Sequence, residues 1–368
     1  MTAENEAPKH AQLREAIGPA MGYLTTVTEI GVLRACIDYR VFDEIPEDGD
    51  ISLSELAVKT GGKEEMLERL VPYLTAVEIL AVSSTGRVAH TDKSRVYRSG
   101  ELTAGFLVHI FNMLLRPVAQ LPTFFGQHGL ASPKTADTTP FGLAMGHPDK
   151  DVYSILDAEP ELSKAFNAFV GRVGKVFPMT GVYDFSWMQE QEGALVRDGP
   201  IFVDIGGSNG LAIKDIVGDN KFIPIDRCAV LDLPKSINAT EPNLDDSLRG
   251  LKLVPGNVFE PLPRAARGSL VYQFRRILND FADADVIKSW QSVREAAAPD
   301  TRVYVVEELL QPVRNAYGVS QDFVLMLVGG KRRNAAMHSV LAETAGFRLN
   351  RQFPDRYNDC SVLEFVLQ

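Results

Sequence analysis

Apolar positions recur at helical spacing through the first half of the chain and as short strand-like runs through the second. Residues 23–42 place Leu24, Val27, Ile30, Leu33, Ala35 and Cys36 on one broad face, which predicts a helix. Residues 51–61 open on a Ser–Glu capping pair and stop at Gly61, a short capped helix. Residues 63–77 set Met66, Leu67, Leu70 and Leu74 on one side of a second helix, and residues 79–91 alternate around Ser84-Thr85-Gly86, a hairpin. Helix, turn, helix, hairpin predicts a winged-helix unit over residues 1–100.

Residues 101–195 read as a helical, aromatic-rich segment of their own. Within it, 106–115 is apolar all round apart from His109 and Asn112, the pattern of a helix that is buried or lines a pocket. His109 is therefore either a satisfied core histidine or a pocket residue. Residues 132–139 and 146–149 read as loops, and 152–172 as one helix bearing Ile155, Leu162, Phe166 and Phe169. From 196 to 368 the pattern alternates. Strands are expected at 202–205, 229–231, 251–254, 269–273, 303–307 and 361–367, with helices at 211–217, 284–297, 318–326 and 335–345. That is a doubly wound α/β sheet, whose ligands bind at the C-terminal ends of the strands.

Composition narrows the partners. The 368 residues, 45 % apolar, suffice for two or three cored domains. A net charge of −10 leaves no basic footprint, and the 63–77 helix offers Glu64, Glu65 and Glu68 where a DNA reader needs a basic stripe. The winged-helix unit thus reads as a packing and dimerisation module, with no nucleic-acid partner. Cys36, Cys228 and Cys360 are odd in number and far apart, which implies a reducing compartment, no disulfide frame and no metal cluster. With no signal-type apolar segment at the start and no membrane-length apolar run, the expectation is a soluble, cytoplasmic protein.

One stretch carries candidate chemistry. Ile201-Phe202-Val203-Asp204-Ile205 runs into Gly206-Gly207-Ser208-Asn209-Gly210 and an apparent helix start, the strand–turn–helix grammar of a nucleotide-type site. The glycines miss Gly-x-Gly-x-x-Gly spacing. Asp232 closes the next strand 22 residues after Gly210, the separation at which a carboxylate reaches ribose hydroxyls.

Val203-Asp204-Ile205-Gly206-Gly207, Leu231-Asp232-Leu233-Pro234, Gly256-Asn257-Val258-Phe259, the 274–281 segment, Glu308-x-x-x-Pro312 and Gly329-Gly330-Lys331 occur in order. Together they resemble the plant- and fungal-type small-molecule O-methyltransferases over essentially the whole chain. The resemblance implies a class I, Rossmann-like methyltransferase domain behind an N-terminal all-α/winged-helix dimerisation domain, a homodimer, and S-adenosylmethionine as cofactor. It implies that Asp204, Gly206, Gly207, Asp232, Leu233, Asn257, Val258 and Arg275 form the cofactor site. Asn257 and Arg275 stand where the family usually has Asp and Lys.

The catalytic end departs from the family. A His-Asp-Trp triplet flanked by two Glu residues is replaced by Asn279-Asp280-Phe281, with Glu308 as one flank and Arg332 at the position of the other. An amide cannot take a proton near neutral pH. Fungal members of this fold that catalyse pericyclic reactions replace the same position, keep the Asp and use a His from the N-terminal half. The resemblance therefore implies first a pericyclase of secondary metabolism acting on a polyketide-derived substrate. In that reading Asn279 and Arg332 polarise a carbonyl, Asp280 orients them and His109 adds a hydrogen bond. Phe111, Phe166, Phe169, Phe323 and Met326 shape the cavity. The alternatives are a working O-methyltransferase whose acceptor is ionised otherwise, and a non-catalytic binding dimer.

Overall fold

The computed structural model describes residues 6–173, 181–191, 193, 196–312, 316–356 and 359–368, with the side chains of 6–14 and 171–173 left aside. The described backbone divides into two compact units. One comprises 1–115 and 159–173, the other 116–158 and 174–368. The 101–195 segment, read from the sequence as a helical linker and substrate-pocket segment, contributes residues to both units, and its residues 174–180, 192, 194 and 195 lie outside the described residues.

In the first unit the opening helix runs Glu6–Asp38, longer at its start than the apolar pattern suggests. Helix Leu53–Thr60 has the expected capping box between Ser52 and Glu55 and ends at Gly61 in a left-handed conformation. Helix Glu64–Ala76 and the hairpin β1 (Leu80–Val82) and β2 (Val88–His90) follow. They close over Leu33, Phe42, Leu56, Leu74 and Val88, all at most 2 % exposed. Helix Leu102–Ile110 continues into a π-turn, Phe111–Leu115. It packs on helix Pro160–Val173, where Phe106 stacks on Phe169 at 5.5 Å. The single helix expected at 152–172 is two, Val152–Ala158 and Pro160–Val173. Pro160 lacks the N–H a continuous helix would use, so it starts a new one.

The second unit is built on a seven-stranded sheet: β3 (Phe202–Ile205), β4 (Cys228–Asp232), β5 (Lys252–Pro255), β6 (Val271–Arg275), β7 (Arg302–Glu308), β8 (Phe347–Pro354) and β9 (Cys360–Leu367). Their order is β5-β4-β3-β6-β7-β9-β8. β9 runs antiparallel between β7 and β8, and the first five are parallel. Successive strand residues serve opposite faces. Val203, Leu231, Phe274 and Val305 meet Trp290 and Leu341 from helices Asp283–Ala296 and Ala335–Glu343. Phe202, Val230 and Tyr304 meet Ile213, Ile216 and Ile237 from helices Leu211–Asp219 and Pro234–Thr240. The chain order reverses between β3 and β6, and the crevice at that switch point is where a doubly wound sheet takes its ligand. Among the described residues no single helix is long and apolar enough to cross a membrane.

Candidate functional site

The glycine turn and Asp232 form one constellation. After β3 the backbone turns left-handed at Gly206, Ser208 and Gly210 (φ 71°, 50° and 76°), and helix Leu211–Asp219 begins at once. A Cβ on Gly207 would lie 2.6 Å from Asp204 Oδ2, so the turn rests directly on that carboxylate. Asp204 is 1 % exposed and accepts a hydrogen bond from Gln273 Nε2 at 3.0 Å. Burial pushes its carboxyl up to about 6, against that bond and the charge of Arg275. Asp232 ties two strand ends together. Ser208 N–H donates to its Oδ2 at 2.9 Å and Leu233 N–H to its Oδ1 at 2.7 Å. The Ser236 side chain also donates to this carboxylate, and of the roughly four acceptor positions a carboxylate offers about one remains.

This arrangement fits an adenosyl cofactor: bare backbone at a helix N-terminus, and a half-buried carboxylate with spare acceptor capacity beside it. Asn257 follows β5 and uses its Oδ1 to accept the Phe259 N–H at 3.0 Å. Val258 packs against the sheet core, and Leu233 is exposed. Arg275, at the end of β6, is half-buried and lies in the field of Asp204.

Beyond β6 lies a turn, Leu278–Asp280, held from three sides. Glu307 accepts the N–H groups of Ile277 (2.9 Å) and Asn279 (3.3 Å). Arg333, fully buried, donates to the carbonyls of Leu278 and Phe281, both at 2.7 Å, and is anchored by Asp283. Lys331 N–H donates to the Asn279 carbonyl at 2.9 Å. Arg276, just before the turn, is left-handed (φ 55°), a conformation found where surrounding structure over-determines the backbone.

Asn279 is 4 % exposed; its Nδ2 donates to the Glu308 carbonyl at 3.3 Å, and its Oδ1 has no partner. Reversing the amide would set two oxygens against each other, so the contact fixes the orientation. Asn279 therefore presents an unpartnered acceptor, Oδ1, beside the second N–H of its Nδ2. Arg332 is likewise engaged. Its Nε and Nη1 donate to the carbonyls of Glu308 (3.3 Å) and Gly318 (3.2 Å), and its Nη2 lies 3.6 Å from Asp359. Glu308 sits 3.9 Å from Arg276.

Two participants were not legible in the sequence. Tyr153, on helix Val152–Ala158, donates to Asp280 Oδ2 at 3.1 Å across 127 residues. Burial pushes the Asp280 carboxyl up to about 6, opposed by that hydrogen bond and by Arg276. Burial and then the nearby Asp280 push Glu307 up to about 7. Carboxylic acids poised in this range exchange protons near neutral pH. The motif order could have pointed to Glu307 beside Glu308. Nothing in the sequence pairs Tyr153 with Asp280.

The remaining expected residues fall into two groups. Phe323 (48 % exposed) and half-buried Met326 lie on helix Ala316–Leu327 of the second unit. His109, Phe111, Phe166 and Phe169 belong to the first unit. There His109 stacks on Phe169 at 3.8 Å and lies 6.1 Å from Phe166, and Arg34 lies over the Phe111 ring at 5.2 Å. Burial pushes His109 down to about 4, so it is neutral at physiological pH, and its Nδ1 has no partner. Among the described residues no cluster of three His, Cys, Asp or Glu could hold a metal ion.

Comparison with known proteins agrees with this architecture. The O-methyltransferase domain family matches residues 189–348, and the O-methyltransferase dimerisation domain matches residues 21–109. The chain belongs to the O-methyltransferase family. It is 41 % identical over 356 residues to the methyltransferase phm5 of Pyrenochaetopsis sp, covering 96 % of this chain and 97 % of that one. Its fold is similar to OxaC solved with SAH and oxaline, at a TM-score of 0.84 and 22 % identity over 99 % of this chain and 91 % of that one. It is also similar to a pericyclic reaction enzyme, at a TM-score of 0.76 and 21 % identity over 100 % of this chain and 95 % of that one. At such identities these two likenesses speak for the fold alone.

Proposed function

We propose that this protein is an S-adenosylmethionine-dependent methyltransferase acting on a heteroatom–hydrogen group of a small molecule. One observation carries the choice over a pericyclic reaction. The buried atom of Asn279 left without a partner is its oxygen, and Arg332 directs Nε and Nη1 at backbone carbonyls and Nη2 towards Asp359. A buried acceptor suits a substrate O–H or N–H, which it would orient by accepting its proton in a hydrogen bond. It does not polarise a carbonyl.

When bound, S-adenosylmethionine supplies a methyl carbon on cationic sulfur, which keeps the bonding pair as the methyl departs. Asp232 would hold its ribose hydroxyls, the 206–210 turn its amino-acid end, and Asn257 and Arg275 its adenine. Asn279 would orient the acceptor but cannot hold its proton. The close relationship to phm5, named a methyltransferase, supports the same reading.

The test is product mass. Purified protein with methyl-labelled S-adenosylmethionine and a panel of acidic hydroxyl and amide N–H compounds should give a gain of one labelled methyl, with an equal amount of S-adenosylhomocysteine. Asn279→Ala should slow it by on the order of 10²-fold, the scale for one aligned polar contact. A product of unchanged mass, or lighter by one water, formed without cofactor consumption would replace this reading with the pericyclic one.

A further inference from the structure

We propose that Asp280, held by Tyr153 at the switch point of the sheet, reads the charge of the bound cofactor. It stays ionised beside the cationic sulfonium and is protonated beside the neutral thioether. The inference rests on the methyltransferase reading and deepens it.

The argument begins with placement. Asp232 ends β4, the glycine turn ends β3, and Asp280 follows β6, so the three flank the crevice where the strand order reverses. Tyr153 belongs to this group on two counts. It donates to Asp280 at 3.1 Å, and Asp232 acts on its hydroxyl through space after Asp280 does. Tyr153 and Asp280 both keep a little accessible surface.

The charges facing the pair are unevenly balanced. Asp280 meets Tyr153 from the helix, Arg276 from its own loop and Glu307 from β7. Tyr153 also faces Asp151, and Glu307 also faces Arg276 and Cys360, whose thiol burial pushes up to about 12. Arg276 is the cation common to this list, set against Asp280, Glu307 and the nearby Asp232. A further positive charge in the crevice favours the ionised form of Asp280, and a neutral occupant leaves the carboxyl raised by its burial, so that it holds its proton to higher pH.

The proton balance also closes. The acceptor loses one proton as its new bond to carbon forms. Asp280 is where that proton is held, and it returns to water when the next cation is bound. The missing histidine is thus replaced by an acid whose protonation follows the charge of what lies beside it.

Calorimetry tests this without turnover. S-adenosylhomocysteine (neutral at sulfur) and sinefungin (cationic at the corresponding position) are titrated into the intact protein. The measurement is made near pH 6 in buffers of different ionisation enthalpy, which count protons exchanged. Sinefungin should release more protons than S-adenosylhomocysteine, by roughly half a proton per site at a pH near the pKa of Asp280. Its relative affinity should rise with increasing pH, by up to about tenfold per pH unit between the pKa values of Asp280 in the two complexes. Asp280→Asn should abolish the difference. Tyr153→Phe should move its maximum to higher pH, because the carboxylate loses a stabilising donor. Equal proton exchange for the two ligands, or a difference that survives Asp280→Asn, overturns the proposal while leaving the methyltransferase reading standing. Failure of both ligands to bind would instead remove that reading, and this one with it.

Discussion

Gly330 shows how little freedom the Leu278–Asp280 turn has. A Cβ there would overlap the Asn279 carbonyl oxygen and come within 2.9 Å of Asp280 Cα, both backbone atoms that cannot rotate away. Gly330→Ala should cost about 1–3 kcal/mol by thermal or urea unfolding and depress turnover more than cofactor affinity, because the strain falls on the turn. The buried acids add a second expectation. Asp204, Asp280 and Glu307 are raised to about 6, 6 and 7, so above their unfolded values the native state binds more protons than the unfolded one. Stability through these groups is present at low pH and lost as pH rises through 4–7. Asp280→Asn should therefore melt higher than wild type at pH 8 and nearly alike at pH 4 while losing activity. A lower melting temperature at both would contradict the assigned sign. At this scale the sequence was legible where a motif is local, as at Asp232, the last residue of β4. It was silent on Tyr153, which reaches Asp280 only through folding.

Elements were legible in proportion to how apolar they are. β3, β4 and β6 are buried on both faces and were visible as continuous apolar runs. β8 was not, because Arg348, Asn350, Arg351 and Gln352 give an edge strand whose exposed face is polar. Helix Pro234–Thr240 also escaped notice. Its sequence, Pro-Lys-Ser-Ile-Asn-Ala-Thr, buries little beyond Ile237 and Thr240. The strength of the sheet should lie at Trp290, fully buried against Phe274, Phe347 and Phe365 at 4.9–5.9 Å. Trp290→Ala should cost about 3–5 kcal/mol, read as a shift in the urea midpoint. A cost under 1 kcal/mol would mean that this face tolerates a large cavity.

At the scale of the molecule, helix Glu6–Asp38 leaves Ile17, Met21, Tyr23, Leu24 and Val27 about half exposed or more, within and just ahead of the span matched by the dimerisation family. Such a stripe on a protein of net charge −10 is expected to be covered by a second copy. Light scattering at micromolar concentration should give a dimer, and the triple variant Tyr23→Glu, Leu24→Glu, Val27→Glu should give a monomer. A wild-type monomer would refute the assignment.

The chain passes between its two units at 115/116, 158/159 and 173/174, so the first unit is interrupted by 43 residues that belong to the second. That arrangement orders events during synthesis. When residue 115 leaves the ribosome, helix Leu102–Ile110 still lacks Phe166 and Phe169, the aromatic surface that covers Phe106 and His109. The N-terminal unit cannot finish folding as a vectorial first step. It must wait, with an apolar helix uncovered, until residue 173 has emerged, and nascent chains arrested between those two points are where a chaperone should be found bound.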